Sequence, residues 1–262
     1  MGKTAVITGA TSGIGAAFAK HLAADGYDLI ITGRRQEIIE KLADDLRKNH
    51  LVNVNVIIAE LSNDNDIQKV IDAVNTEDNI EILINNAGFS GYYKNFIEVE
   101  PALYEQIIKV HQVVPIRLIS VIAPKMIKQR KGAIINTSSI GAFNALPKTH
   151  VYCGTKSFIK ILSEGLYREL RDKGIKVQAL CPGPTNTNFV KDYMTEEEYG
   201  KLVKNIKSMM MSPEAVVDYS LKQLKKNKVV CIPGAINKVI CFLFPKLPSG
   251  IYYKLGAKMT EL

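Results

Sequence analysis

Lys3-Thr4-Ala5-Val6-Ile7-Thr8-Gly9-Ala10-Thr11-Ser12-Gly13-Ile14-Gly15 begins as a short apolar run and turns directly into a glycine-rich loop. Apolar residues at three- and four-residue spacing follow at once over 14–24, as on one face of a helix. The stretch reads strand, loop, helix. A dinucleotide pyrophosphate needs a tight turn, backbone free of Cβ atoms and the exposed amides of a helix N-terminus. Gly9, Gly13 and Gly15 meet those demands, with Thr11, Ser12 and Ile14 between them. A mononucleotide P-loop does not fit, because no Gly-Lys-Ser/Thr closes the motif.

The same alternation continues outward. Short runs rich in Val and Ile fall at 3–8, 28–32, 54–60, 82–85, 133–137, 176–180 and 229–232. Helical patterns separate them, among them 38–46, 67–74, 103–126, 158–170 and, after Ser212-Pro213-Glu214, 213–226. Continuous apolar strands imply cover on both faces. The expected fold is therefore α/β: a single Rossmann-type domain over 1–262, with a doubly wound parallel sheet of about seven strands between helix layers. No linker, repeat or low-complexity stretch divides it. The second strand ends in Thr32-Gly33-Arg34-Arg35, and no acid appears until Glu37. A carboxylate there would take the 2′-hydroxyl of NAD, whereas guanidinium groups pair with the extra phosphate of NADP. Arg34 and Arg35 thus favour NADP(H) over NAD(H).

Composition sets the outer bounds. The chain is 47% apolar and 23% charged, ordinary for a packed globular protein. Its net charge of +8 is scattered, and the dense basic clusters, 125–131 and 222–228, are short ones at helix ends. With no recognition motif beside them, nucleic acid is not an expected partner. Cys153, Cys181, Cys231 and Cys241 show no CxxC pair and no metal-ligand spacing with the histidines. They read as reduced thiols in a cytoplasmic protein with no metal. The strand pattern from Ala5 leaves no room for a signal peptide, and the apolar run 239–244 is far short of the roughly 20 residues that span a bilayer. The tail, 235–262, mixes apolar residues with lysines and suits three roles: a pocket cap, a subunit contact or a peripheral membrane contact.

Further motifs stand in order: Asn85-Asn86-Ala87-Gly88, Ser139 thirteen residues before Tyr152, Tyr152-x3-Lys156, and Pro182-Gly183. Together with the glycine loop they make the chain resemble the short-chain dehydrogenases/reductases over about residues 4–190, in the branch of hydroxysteroid dehydrogenases and 3-ketoacyl reductases. The chemistry agrees on its own terms. Hydride transfer to a ketone leaves an alkoxide, so a proton must arrive as charge develops. A phenol titrates near ~10, and a nearby lysine cation favours its ionised form. Tyr152 and Lys156 share one helix face, and Ser139 is placed to donate to the carbonyl oxygen. The expected activity is NADP(H)-dependent interconversion of a ketone and a secondary alcohol, with Tyr152 as general acid/base.

The resemblance implies further roles. Lys156 would also hold the nicotinamide ribose, and Asn86, Ala87 and Gly88 would line the adenosine-side ribose path. Glu60, where the family commonly has Asp, and Leu61 would lie along the adenine. Pro182-Gly183, with Thr185 and Thr187, would shape the nicotinamide carboxamide site. A homodimer or homotetramer would form through helices 103–128 and 152–172. His111 stands where the family has a tetrad asparagine. It either relays protons, its free pKa being about 6.5, or is a polar helix residue bonded to backbone, with Gln112 the lesser candidate. The substrate loops, 140–150 and 186–211, carry Phe143, Leu146, Phe189, Tyr193 and Met209-Met210-Met211. Such a set favours a lipophilic carbonyl, a steroid or an acyl chain, although methionine runs are more often core. The rival readings are a catalytically idle NADP-binding fold and a membrane-peripheral protein anchored by its tail.

Overall fold

All seven apolar runs form strands in this computed structural model, which describes residues 2–260. They are β1 (Thr4–Thr8), β2 (Asp28–Gly33), β3 (Val54–Ile58), β4 (Ile80–Asn85), β5 (Gly132–Thr137), β6 (Ile175–Leu180) and β7 (Val230–Cys231). The sheet order is β3-β2-β1-β4-β5-β6-β7, and every pairing is parallel. Successive strand residues face opposite ways, which is why both must be apolar here. Val6 packs into one core with Leu83, Leu118, Ile122 and Ile134, while Ile7 packs into the other with Phe18, Leu22, Ile31 and Ile39.

Helices α1 (Gly13–Ala24) and α2 (Gln36–His50) cover the second of these cores, and α3 (Asp64–Asn75) covers the first. The chain leaves β1 toward β2 and β3 on one side, then returns to β4 on the other. Ligands bind at such a switch point, beyond the carboxyl ends of the strands.

The long central helix is not uniform. It runs as α4 (Pro101–Ile108), a π turn over Lys109–Val113, and α5 (Val114–Gln129). Pro115 has no N–H to offer the His111 carbonyl one turn back, and the ladder widens where that bond is lost. By length and composition Pro101–Gln129 would cross a membrane, yet Val110, Val114, Leu118, Ile122 and Met126 are buried against the sheet. It is a core helix. After it come α6 (His150–Leu170), α7 (Glu196–Ile206) and α8 (Pro213–Lys225), then the tail as α9 (Ala235–Leu243) and α10 (Ser249–Thr260).

Candidate active site

The glycine loop closes over the end of β1. A Cβ at Gly15 would fall on the carbonyl oxygen of Gly9, and one at Gly13, where φ is +57°, would meet Thr187 Cγ2 at 2.8 Å. The cradle exists because neither residue has a side chain. Thr8 Oγ1 accepts from the N–H groups of Asn86 and Ala87, both at 3.0 Å, so β1 and β4 are stitched at their ends. The Asn86 amide donates to the Thr8 and Gly9 carbonyls, each at 3.2 Å. Its side chain is thus committed to bracing the loop from below.

The two arginines part company. Arg34 pairs with Glu60 at 2.9 Å, and Glu60 also accepts from the Ser62 hydroxyl at 3.0 Å. Burial pushes the Glu60 carboxyl up, but the bonds from Arg34 and Ser62 outweigh it and hold the group below the usual range. Arg35 lies over the loop instead, donating to Thr11 Oγ1 at 3.1 Å and Ser12 Oγ at 2.8 Å. Leu61, expected along the adenine, has its side chain buried in the core with Ala59 and Ile67.

Tyr152 and Lys156 lie one turn apart on α6, and Ser139 follows β5. Tyr152 is hydrogen-bonded to Ser139, whose Oγ also accepts from Gly141 N at 3.0 Å. Lys156 Nζ sits 5.7 Å from the centroid of the Tyr152 ring and donates to the Thr137 carbonyl at 2.9 Å. Burial dominates both titrations. It raises the Tyr152 phenol well above its ordinary value, against the Ser139 bond, and brings Lys156 down to about 8. The lowering of the phenol expected from Lys156 is not seen; burial prevails, because the packing that brings the two groups together also removes their water. At neutral pH the phenol holds its proton.

His111 is 2% exposed, inside the π turn. Its Nε2 accepts from the Phe89 N–H at 3.1 Å, which puts the ring proton on Nδ1, 2.8 Å from Thr155 Oγ1. Thr155 in turn donates to the Tyr152 carbonyl at 2.8 Å. Burial, with Lys156 nearby, keeps the imidazole pKa well below its ordinary value, so the ring is neutral. Both nitrogens are committed, joining the 88–90 loop to α6. Gly88 allows the approach: a Cβ there would meet His111 Nε2 at 2.7 Å.

Aromatic rings wall the cleft. Phe189 lies 5.9 Å from Tyr152, and Tyr193 stacks on Phe89 at 5.9 Å, with Tyr92 edge-on at 5.6 Å. Phe143, expected beside the substrate, packs against Phe242 at 6.3 Å and lines a cavity with Cys153, Gly154 and Tyr252. Met211 belongs to the core and pairs with Thr185 as a β-bridge, so the methionine run does not as a whole line the cleft. Thr185 Oγ1 donates to the Gly183 carbonyl at 3.0 Å, and Thr187 meets the glycine loop. Pro182-Gly183 is backed by Asn237, which occupies the space a Gly183 side chain would need. Asn237, Thr155 and Phe89 were not foreseen. A lone Asn in an apolar helix was the visible signal for the first, while the other two depend on contacts remote in sequence.

Residues 3–198 match the model of the short chain dehydrogenase family. The very-long-chain 3-oxoacyl-CoA reductase of Bos taurus is 27% identical over 260 residues, 98% of this chain and 79% of its own length. The inactive hydroxysteroid dehydrogenase-like protein 1 of Homo sapiens is 31% identical over 182 residues, 69% of this chain; the match spans only 55% of that relative. A short-chain dehydrogenase from Sphingobium yanoikuyae, solved with NADPH, superposes with a TM-score of 0.79 at 31% identity, covering 89% of this chain and 88% of that one.

Proposed function

This chain belongs to the short-chain dehydrogenase family of nicotinamide-dependent oxidoreductases, and we propose that it interconverts a lipophilic ketone and its secondary alcohol with NADP(H). One observation carries the reading: Ser139, Tyr152 and Lys156 converge beneath the Phe189 ring. The glycine cradle that a Cβ would fill, with Arg35 over it, fits a dinucleotide. When bound, that group supplies or accepts the hydride. The protein's residues do the rest. Ser139 orients the carbonyl oxygen, the protonated Tyr152 phenol gives up its proton as charge builds there, and Lys156 steadies the phenolate left behind. In oxidation the same proton returns to Tyr152.

The NADP preference rests on Arg35, since Glu60 already neutralises Arg34. A charge-assisted bond to a phosphate contributes about 1.5–3 kcal/mol. Arg35→Ser is therefore expected to weaken NADPH binding by roughly 10- to 100-fold while leaving NADH binding near its wild-type value. Titration of both cofactors checks this, and equal losses would sink the assignment.

The aromatic wall suits a steroid-like ketone. The bovine relative, a 3-oxoacyl-CoA reductase by name, favours a 3-ketoacyl chain as the second reading. Oxidation of NADPH against steroids, 3-ketoacyl esters and small diketones separates the two. No turnover on any of them would favour the idle fold that the human relative's name describes. The enzyme in this reading is a cytoplasmic homodimer or homotetramer. Ile116 on α5 and Ile161 on α6, 45% and 66% exposed, give those helices apolar outer faces for pairing.

We assign His111 as a bridge between the 88–90 loop and α6, not a relay. His111→Ala strands the Phe89 N–H, at a cost of about 1–3 kcal/mol. Turnover is expected to fall by a similar factor at every pH between about 6 and 9, with NADPH affinity nearly intact. No fall anywhere in that range would overturn the bridge, and a loss confined to one side of neutrality would restore the relay.

A further inference from the structure

Helix α9 is inside out. A surface helix ordinarily buries its apolar stripe and exposes its polar one. Here the buried residues are Asn237 and Cys241, each 2% exposed, while Ile236, Val239, Phe242 and Leu243 are 55–58% exposed. Beyond the helix, Ile251 and Tyr253 on α10 are also exposed, at 51% and 65%. Lys238, at the edge of the α9 face, reaches over the Tyr219 ring, and Lys246 and Lys254 are exposed nearby. From 235 to 260 the sequence holds no Asp or Glu.

We propose that this face docks on an anionic lipid surface, with α9 lying in the plane of the interface. At nine residues the helix is far too short to span a bilayer, but apolar side chains flanked by lysines suit the boundary between acyl chains and acidic headgroups. A second copy pairing through the same face about a two-fold axis would bring lysine clusters together without acids to meet them. The same two helices are tied to the loops of the candidate site. Asn237 backs Gly183, Phe242 packs on Phe143, and the Tyr252 hydroxyl accepts from Ala145 N at 2.6 Å. Docking would therefore set the loops that frame the cleft against the bilayer.

The test is flotation of the full chain with phosphatidylcholine vesicles, with and without phosphatidylserine. The wild type is expected to float with the serine-lipid vesicles and about tenfold less with the neutral ones. Val239→Asp with Leu243→Asp should abolish flotation on both. Lys246→Glu with Lys254→Glu should remove only the preference for the acidic lipid. Equal flotation on the two vesicles, or undiminished flotation of the aspartate variant, would overturn the proposal. So would a wild type that stays unbound and elutes as an oligomer that the aspartate variant dissociates. NADPH binding and turnover of a water-soluble ketone should be unchanged in every variant, so a failed redox assignment is distinguishable from a failed docking surface.

Discussion

Tyr152→Phe is expected to lower kcat by about 10²–10⁴ while NADPH binds as in the wild type. The substitution deletes one hydroxyl and keeps the ring that packs against Phe189 and His111. Little stability should therefore be lost. What goes is the only proton the mechanism places at the developing alkoxide. Because burial keeps the phenol protonated, its role in reduction is that of an acid already loaded. Turnover on the best ketone of the panel, read beside NADPH affinity, checks the expectation. A variant within a few-fold of wild-type kcat would remove Tyr152 from the chemistry.

The second large effect is expected from Gly15→Ala. Its methyl would fall on the Gly9 carbonyl, and turning a side chain does not relieve that clash, since backbone is what it strikes. The Asn86 amide, itself bonded to that carbonyl, stands 2.6 Å from the same position. The loop must open, breaking the brace from β4. Overpacking of this kind costs about 1–3 kcal/mol, and for a chain of this size each kcal/mol lowers Tm by about 2–4 °C. In the proposed reading the cofactor is affected more than the fold, because the displaced amides are those that would meet its pyrophosphate. NADPH affinity should fall by at least about tenfold. Calorimetric titration and a thermal melt measure both, and wild-type affinity would mean that the loop is not the cradle.

Much of this was legible beforehand, for physical reasons. Strands buried on both faces, such as β1 and β4, must be continuous apolar runs, which made them stand out along the chain. Tyr152 and Lys156 are placed by one turn of one helix, so their spacing alone brings them together. Ends were less readable: β3 stops at Ile58, where the apolar pattern still suggested strand to 60. Long-range partners were not readable at all. The two bonds of His111 depend on a π turn and on a loop 22 residues away. The Leu61 side chain, expected beside the adenine, turned to the core, because an apolar residue beside a cleft goes wherever a partner surface lies. The titration of Tyr152 was read from its lysine neighbour, whereas the depth of burial is set by several elements at once. For the tail, an apolar run was visible, but not that its lone Asn and Cys would be the residues pointing inward.

The seat behind Gly183 has a consequence for synthesis. Residue 183 is made long before Asn237, the side chain that backs it, and the glycine loop is made before Asn86, which braces it. Pairing in a parallel sheet already makes early segments wait for late ones. A growing chain can thus assemble most of the sheet and still lack the finished wall at Gly183. The candidate site is completed from the N-terminal loop forward, and only a chain made past Asn237 can have it whole.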